Sequence, residues 1–354
     1  MKRKFKYLKK RKKILLSKNY SYIGNKKKYS LFFFFKIITF IFLMLFFLIL
    51  DNKIEKNLFK LKDYINVAYC FDNKQIYITY ISMKSIMLSQ NKNTFINFYL
   101  LVSAISDIEK EIIENINEEH KNCKLKYLEI GDQFKDLNIP RDIWSTPMFY
   151  RILLQDLLPN IDKILYLDTD TLIYKDLNKI YNYNITGKYY VGMLEKWHFY
   201  KQYFKKFNVK FTNFINTGVL LCNLEELRKG NISEKIKNVL IKYNKQLEFP
   251  INEALNYVTH EKNGYFSEEY VVIGFCDRNQ AFSYYKDSEI KLNNSKVLNS
   301  YEDPYIYHLI IYSKPWKKIH YYNGKACLDR IARFYEIARK TKFYHKIFEK
   351  YPIK

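Results

Sequence analysis

Short apolar runs alternate with helical patterns between residues 65 and 167, and this order constrains the fold more than any other feature of the chain. Four runs have the length and composition of buried strands: Ile65–Phe71, Asn97–Val102, Leu125–Ile130 and Lys163–Leu167. Helical segments separate them: Tyr77–Gln90, Asp107–His120 and Pro147–Leu158. This order predicts an α/β fold with a mostly parallel, Rossmann-like sheet and helices on both faces.

The elements after residue 167 are shorter. We predict strands at Tyr189–Leu194, Gly218–Leu221 and Tyr305–Ile311, and helices at Ser233–Lys245, Asn252–Val258 and Ala326–Phe348. Ser106 and Glu109 form a capping box, which predicts a helix beginning at Asp107. No stretch rich in Pro, Gly or Ser divides residues 65–320, so we predict one domain there and a basic, aromatic helical extension at 321–354.

Two carboxylates stand directly after the fourth strand, in Asp168-Thr169-Asp170. Ligands of parallel sheets bind at the carboxyl ends of the strands, and Asp72 also ends a strand. Paired carboxylates can chelate Mn²⁺ or Mg²⁺, often together with a substrate diphosphate. A solvated acidic turn is the competing interpretation. An apolar strand that leads into two acids and then into a second apolar run favours a ligand site.

The same residues partly fit a phosphatase of the haloacid dehalogenase type. In such enzymes the first aspartate attacks phosphorus and the second acts as acid and base. Leu172 stands where that pattern requires threonine, and no later acidic pair follows an apolar strand as Gly-Asp. Metal chelation therefore remains the favoured interpretation.

Leu31–Leu50 is a run of 20 residues that is apolar except for Lys36 and Thr39. As a helix it would span ~30 Å, the hydrocarbon thickness of a bilayer. The preceding 30 residues hold 13 Lys and Arg, which predicts a cytosolic N-terminus. A cleaved signal peptide is the alternative, but its apolar region would be shorter and followed by small residues. We predict a basic cytosolic tail at 1–30, a transmembrane signal anchor at 31–50 and a short stem at 51–64.

The charge distribution excludes a uniformly basic nucleic-acid binder. The net charge is +24, yet the first 50 residues hold 14 of the 60 basic residues and none of the 36 acidic ones. We predict no nucleic-acid partner. The 5 cysteines form no CxxC pairs, which argues against a zinc site or a disulfide framework and leaves one or two isolated bridges open. Sequons at Asn184, Asn231 and Asn293 fit a secretory lumen.

Four ordered motifs give the chain a family resemblance. They are NVAYCFDN at 66–73, FYR at 149–151 before PNIDKILYLDTDTLIYKDL at 159–177, FINTGVLLCNL at 214–224, and HLIIYSKPW at 308–316. In this order and spacing they resemble glycosyltransferase family 8, which includes glycogenin, bacterial lipooligosaccharide galactosyltransferases and Golgi xylosyltransferases. The resemblance implies a GT-A fold over residues 65–320. A membrane anchor before such a domain is similar to the type II Golgi members.

The resemblance implies a retaining transferase that moves a hexose or pentose from a UDP-sugar to a glycan, glycoprotein or glycolipid acceptor. It implies Mn²⁺, or Mg²⁺, bound by Asp168, Asp170 and His308. Residues at the matching donor-binding positions are Asp72, Asn73, Arg151, Thr169, Asn216 and Lys314, together with the two aspartates. Those matching the catalytic positions beside the donor sugar are Asn252 and Glu195. The implied location is the Golgi or endoplasmic reticulum membrane, with the catalytic domain in the lumen.

Three departures from the family pattern keep a second hypothesis open. Ile251 and Asn252 replace an aspartate and a glutamine near the donor sugar, Ile311 replaces a glycine, and Lys74 replaces a tyrosine. A degenerate protein that binds UDP-sugar or glycan without turnover is therefore the alternative to an active enzyme. The sequence leaves open whether the donor sugar is xylose, glucose or galactose.

Overall fold

The computed structural model describes residues 38–50, 64–135, 137, 145–195, 209, 214–243, 246–267, 269–274, 301–310, 314–316, 321–322, 325–326 and 328–352. The chain divides into two compact units, residues 1–62 and 63–354. In the first unit, residues 38–50 form a helix with exposed side chains. Among the described residues, no helix combines the length and hydropathy that crossing a membrane requires. The predicted basic tail, residues 31–37 of the predicted anchor and residues 51–63 of the predicted stem lie outside the described residues.

The second unit is built on a seven-stranded mixed sheet. Its strands are β1 (Tyr64–Phe71), β2 (Phe95–Val102), β3 (Cys123–Glu129), β4 (Lys163–Leu167), β6 (Tyr190–Leu194), β7 (Ile215–Asn223) and β8 (Asn263–Tyr265). Their order across the sheet is β3-β2-β1-β4-β7-β6-β8. All of them run in one direction except β7, which is antiparallel to both of its neighbours. The predicted α/β fold with a mostly parallel sheet is therefore confirmed.

Helices cover both faces of this sheet. They are α1 (Ile76–Ser89), α2 (Asp107–Glu119), α3 (Leu154–Leu157), α4 (Asn178–Tyr181), α5 (Leu224–Lys229), α6 (Ile232–Tyr243), α7 (Pro250–Thr259), α8 (Leu328–Arg339) and α9 (Tyr344–Lys350). The predicted capping box of α2 is present, because Ser106 accepts from the Glu109 nitrogen and Glu109 accepts from the Ser106 nitrogen. Residues predicted as one helix at Pro147–Leu158 instead form a 3₁₀ helix, Thr146–Leu153, followed by α3.

Two buried apolar clusters lie on opposite faces of the sheet. Alternate residues of β1 divide between them: Val67 and Tyr69 belong to one cluster, and Ala68 and Cys70 belong to the other. This alternation is the side-chain period of a strand. A sheet that is buried on both faces leaves only its edges and strand ends open to a ligand.

A smaller sheet continues directly from the end of β4. Strand β5 (Thr171–Ile173) pairs antiparallel with β10 (Ile306–His308), which pairs parallel with β9 (Val271–Ile273). In this register His308 lies opposite Thr171. A histidine that is distant in sequence is thereby brought beside the Asp-Thr-Asp turn.

Strand β7 extends beyond the end of β4. The last residue of β4, Leu167, pairs with Val219, so residues 215–218 of β7 have no β4 partner; we call them the β7 overhang. The side chain of Asn256 in α7 binds the overhang at Ile215, where it donates to the carbonyl and accepts from the nitrogen, both at 2.9 Å. The overhang is thus held in strand conformation without a neighbouring strand on that side.

Candidate active site

An acidic cluster with one histidine lies at the carboxyl edge of the main sheet. Nε2 of His308 is 3.1 Å from Oδ1 of Asp170 and 3.6 Å from Oδ2 of Asp168. The potential ligand atoms of these three residues all lie within 4.8 Å of one another. The structure therefore places together the three residues that the sequence predicts as metal ligands.

Backbone hydrogen bonds fix the positions of the two aspartates. The Asp168 nitrogen donates to the carbonyl of Gly218 in the β7 overhang at 2.7 Å, and the Asp170 carbonyl accepts from the Leu309 nitrogen at 2.7 Å. The turn is consequently attached to β7 on one side and to β10 on the other.

A buried chain of hydroxyl groups supports the same turn from below. The Thr171 hydroxyl donates to the Asp168 carbonyl at 2.9 Å and lies 3.0 Å from the hydroxyl of Ser82. Ser82, in turn, lies 2.8 Å from the hydroxyl of Tyr69. These three side chains are fully or almost fully buried, so the turn rests on a polar network that water does not reach.

Two cations flank the acidic cluster. Lys314 lies 2.8 Å from Oδ2 of Asp170. Arg151, only 6% exposed, lies 2.8 Å from Oδ1 of Asp168 and donates to the carbonyls of Thr217 and Met148. The Arg151 guanidinium therefore joins the 3₁₀ helix, the β7 overhang and the Asp-Thr-Asp turn.

The mutual contacts change the proton affinities of these groups. Burial alone would raise the pKa of Asp170, but the Lys314 ammonium and the His308 imidazole outweigh it and hold the pKa well below the ordinary aspartate range. Burial would lower the pKa of His308, and Asp170 and Asp168 overcome that effect and raise it. Attraction to Asp170 raises the pKa of Lys314. The aspartate is therefore an anion at neutral pH, as a metal ligand must be.

The cluster has the donor set for a divalent cation. Carboxylate oxygens with one imidazole nitrogen suit Mn²⁺. Gly218 leaves room for the ligand side chains, because a Cβ there would lie 2.1 Å from Cε1 of His308 and 2.8 Å from Oδ2 of Asp168. The residues present therefore fit the predicted metal.

The residues predicted beside the donor sugar lie in the β7 overhang or contact it. The Asn216 amide donates to Oε2 of Glu195 at 2.7 Å, and its oxygen accepts from the Gly218 nitrogen at 2.9 Å. The Thr217 hydroxyl donates to the side-chain oxygen of Asn252. Glu195 and Asn252 thus flank one strand segment, next to the acidic cluster. Thr169 is buried within the Asp-Thr-Asp turn.

The remaining predicted donor residues lie at the end of β1, the strand beside β4. Asp72 is half-buried and caps the following 3₁₀ turn by accepting from the Lys74 nitrogen at 3.0 Å, and Asn73 is exposed. Because β1 and β4 are parallel neighbours, their carboxyl ends share one edge. The structure gives no direct contact between these two residues and the acidic cluster.

The departures from the family pattern fall in different places. Ile251 is 4% exposed and belongs to the apolar cluster beneath α7. Asn252, one position further, is half-buried and contacts the overhang. Ile311 lies outside the described residues. A carboxylate at position 251 would therefore enter an apolar environment.

Several residues that assemble the site are not predicted by the sequence: Tyr166, Thr171, Thr217, Gly218 and Asn256. Their local signal is weak, since each is an ordinary strand or helix residue. Tyr166 donates to Oδ1 of Asp168 at 2.5 Å and carries the Arg151 guanidinium over its ring at 4.3 Å. The motif Asn216-Thr217-Gly218 was a usable signal, because small and polar residues interrupt an otherwise apolar strand.

A mostly parallel sheet with paired aspartates and a histidine at its carboxyl edge defines the class of GT-A-like glycosyltransferases. Residues 66–320 match the sequence family described as "Glycosyl transferase family 8". This match spans more than two thirds of the chain, and the protein belongs to that family.

Relatives support this assignment at the sequence level. A protein from Haemophilus influenzae is 28% identical over 189 residues, which span 52% of this chain and 57% of that one. Its name states only the glycosyltransferase class. The lipopolysaccharide 1,2-glucosyltransferase of Escherichia coli is 22% identical over 261 residues, which span 72% of this chain and 73% of that one.

Solved structures show the same fold. The galactosyltransferase LgtC, solved in complex with donor and acceptor sugar analogues, matches with a TM-score of 0.66 and 17% identity over 78% of this chain and 96% of that one. The glycosyltransferase GlyE of Streptococcus pneumoniae matches with a TM-score of 0.53 and 19% identity over 83% of this chain and 66% of that one. The mostly parallel sheet described above is therefore of the GT-A-like type.

Proposed function

We propose that this glycosyltransferase transfers a sugar from a UDP-sugar to a glycan, glycoprotein or glycolipid acceptor, with retention of anomeric configuration and with Mn²⁺ or Mg²⁺. The observation that carries the proposal is the arrangement of Asp168, Asp170 and His308 within 4.8 Å at the carboxyl edge of the sheet, with Lys314 beside them. Such a site suits a ligand that brings phosphate oxygens and a bound cation together.

The charged residues of the site act on the departing diphosphate. A divalent cation held by Asp168, Asp170 and His308 would neutralise charge on the leaving group. Lys314 is directed at the same place and would donate hydrogen bonds to phosphate oxygens, which stabilises charge that develops as the glycosidic bond breaks. Arg151 is committed to Asp168, Thr217 and Met148; its role is to position the turn.

Asn216 of the β7 overhang and its partner Glu195 orient the sugar. Joined at 2.7 Å, they present amide and carboxylate groups to sugar hydroxyls, and Asn252 contacts the overhang at Thr217. The acceptor hydroxyl enters on the face from which UDP departs. Its oxygen forms the new bond to the anomeric carbon, the bond to UDP breaks, and a phosphate oxygen of the leaving UDP takes the proton.

The N-terminal sequence supports a type II membrane protein with this domain in the lumen of the Golgi or endoplasmic reticulum. The supporting features are the basic first 30 residues and the apolar run that follows them. The sequon asparagines Asn184 and Asn231 are exposed, as glycan acceptors must be. Protease digestion of sealed microsomes tests the orientation: protection of the catalytic domain is expected, and its cleavage without detergent contradicts the proposal.

A panel of UDP-sugars tests the activity. The full chain should release UDP from at least one donor when Mn²⁺ is present and lose this activity on chelation. Asp170→Asn should lower the rate at least about a hundredfold, because it removes a charged ligand. Asp329→Asn, at an exposed position in α8, is the matched control and should behave as wild type. Equal activity of the two variants would remove Asp170 from the mechanism.

Binding without turnover is the second candidate function, and the burial of Ile251 favours it. An apolar residue within the core cannot hydrogen-bond a sugar hydroxyl, so one interaction expected near the donor sugar is absent. This candidate predicts Mn²⁺-dependent binding of UDP to the full chain without turnover of any donor. A folded protein that neither binds UDP nor turns over a UDP-sugar contradicts both candidates.

A further inference from the structure

The C-terminal helices lie beyond the family match, yet they contact two loops of the proposed donor site. We infer that Tyr351 is a positioning residue that ties the turn after β1, residues 72–75, to the lysine loop at residues 314–316. The inference rests on the proposed function, because the two loops act together only when one ligand spans them.

The first contact holds the turn after β1. The Tyr351 hydroxyl donates to the Lys74 carbonyl at 3.2 Å. The backbone nitrogen of Lys74 donates to Oδ1 of Asp72 at 3.0 Å, and the Gln75 nitrogen donates to the Asp72 carbonyl at 3.0 Å. Lys74 is therefore fixed through both its nitrogen and its carbonyl, and the direction of the Asp72 side chain depends on that geometry.

The second contact holds the lysine loop. The Tyr351 ring lies 5.9 Å from the ring of Trp316, which also packs 5.7 Å from Phe334 in α8. Trp316 stands two residues after Lys314, and the Lys314 ammonium lies 6.0 Å from its ring. Packing between Tyr351 and Trp316 therefore limits where the Lys314 backbone can move relative to Asp170.

Tyr351 is itself held firmly. Its side chain is 7% exposed, its carbonyl accepts from the Tyr335 hydroxyl, and its nitrogen donates to the Ile347 carbonyl at 2.9 Å. Burial raises the pKa of Tyr351, and neighbouring Tyr77 and Asp72 raise it further. The hydroxyl consequently remains a hydrogen-bond donor. The family resemblance places the uracil or ribose of the donor at Asp72 and the diphosphate at Lys314. We call these the nucleoside end and the diphosphate end, and one rigid side chain, Tyr351, sets the separation between their loops.

Tyr351→Phe in the full chain tests the inference, since it removes the hydroxyl and keeps the ring against Trp316. With Mn²⁺ present, the dissociation constant of UDP should rise about threefold to tenfold, the worth of one hydrogen bond. The dissociation constant of inorganic pyrophosphate should not change, because the diphosphate end is untouched. For an active donor, KM should rise while kcat stays within about twofold of wild type.

Two further variants make the test specific. Tyr344 lies in α9, where its ring packs against Phe348. Tyr344→Phe removes its hydroxyl and should leave UDP binding unchanged. Trp316→Leu should weaken pyrophosphate and UDP together, because it loosens the lysine loop.

Distinct outcomes separate this inference from the proposed function. Unchanged UDP binding in Tyr351→Phe, at an unchanged melting temperature, overturns the positioning role. Equal weakening of UDP and pyrophosphate in that variant also overturns it, because the effect is then not confined to the nucleoside end. Failure of the wild-type chain to bind UDP at all overturns the proposed function itself.

Discussion

At the scale of single residues, Gly218 has no room for a side chain. A Cβ there would lie 2.7 Å from Nδ1 of His308 and 2.8 Å from Oδ2 of Asp168, closer than atoms approach without displacement. Gly218→Ala should therefore abolish Mn²⁺-dependent UDP binding, measured by calorimetry. Gly264→Ala is the control, because its Cβ meets only side-chain atoms, the nearest at 3.1 Å. Retained binding in Gly218→Ala would show that the metal ligands lie elsewhere.

Arg151 provides a second prediction at this scale. Its removal in Arg151→Leu leaves the Asp168 carboxylate without its nearest cation and the carbonyls of Thr217 and Met148 without the guanidinium donor. We expect a loss of about 3 kcal/mol in the free energy of unfolding, measured by urea denaturation. Arg228→Leu is the comparison: Arg228 also contacts two carbonyls and an aspartate, but Asp162 is exposed. A loss near 1 kcal/mol is expected there, and equal losses would contradict the role assigned to Arg151.

At the scale of elements, the hydroxyl chain between α1 and β5 supports the Asp-Thr-Asp turn. Thr171→Val keeps the shape and removes the donor to the Asp168 carbonyl. It should cost about 1–3 kcal/mol of stability and weaken Mn²⁺ binding. Thr259→Val removes an equally buried hydroxyl, which donates to the Leu255 carbonyl within α7, and should leave Mn²⁺ binding unchanged. A Thr171→Val protein with native Mn²⁺ affinity would show that the turn does not need this support.

Elements with a local pattern could be predicted from the sequence, and those fixed by distant contacts could not. Strands β1 to β4 contain the short apolar runs on which the prediction rests, and the predicted bounds of β4, Lys163–Leu167, are those that it has. The sequence predicts β7 only at Gly218–Leu221, because Asn216 and Thr217 interrupt the apolar run and Ile215 is held by the distant Asn256. The 3₁₀ helix was predicted as an α-helix, since its apolar spacing resembles one.

At the scale of the whole molecule, the candidate site unites residues separated by more than 130 positions, from Asp170 to His308. The local pattern predicts the aspartates, because an apolar strand leads into them. His308 and Lys314 are predicted only by the family resemblance, since neither has a distinctive neighbourhood. The pairing of β5 with β10, which brings them together, depends on register across the fold and not on either segment alone.

Ligand binding should be measurable in the stability of the whole domain. With Mn²⁺ present, UDP at a hundred times its dissociation constant should raise the free energy of unfolding by about 2.7 kcal/mol. Chelation with EDTA should remove that gain, because the cation and the diphosphate are expected to bind as one unit. Thermal denaturation of the full chain with UDP, with and without EDTA, provides the measurement. A UDP-induced shift that survives EDTA would contradict metal-dependent binding.

The β7 overhang also has an evolutionary consequence. Its backbone groups at Ile215, Thr217 and Gly218 are taken by Asn256, Arg151 and Asp168, so a mutation there disturbs several partners at once. Position 252 on α7 has one contact with the overhang and is half-buried. A substitution that changes the donor sugar is therefore less constrained at position 252 than along β7. In sequences that descend from this one, we expect specificity to change through substitutions in α7, while the residues of β7 change slowly.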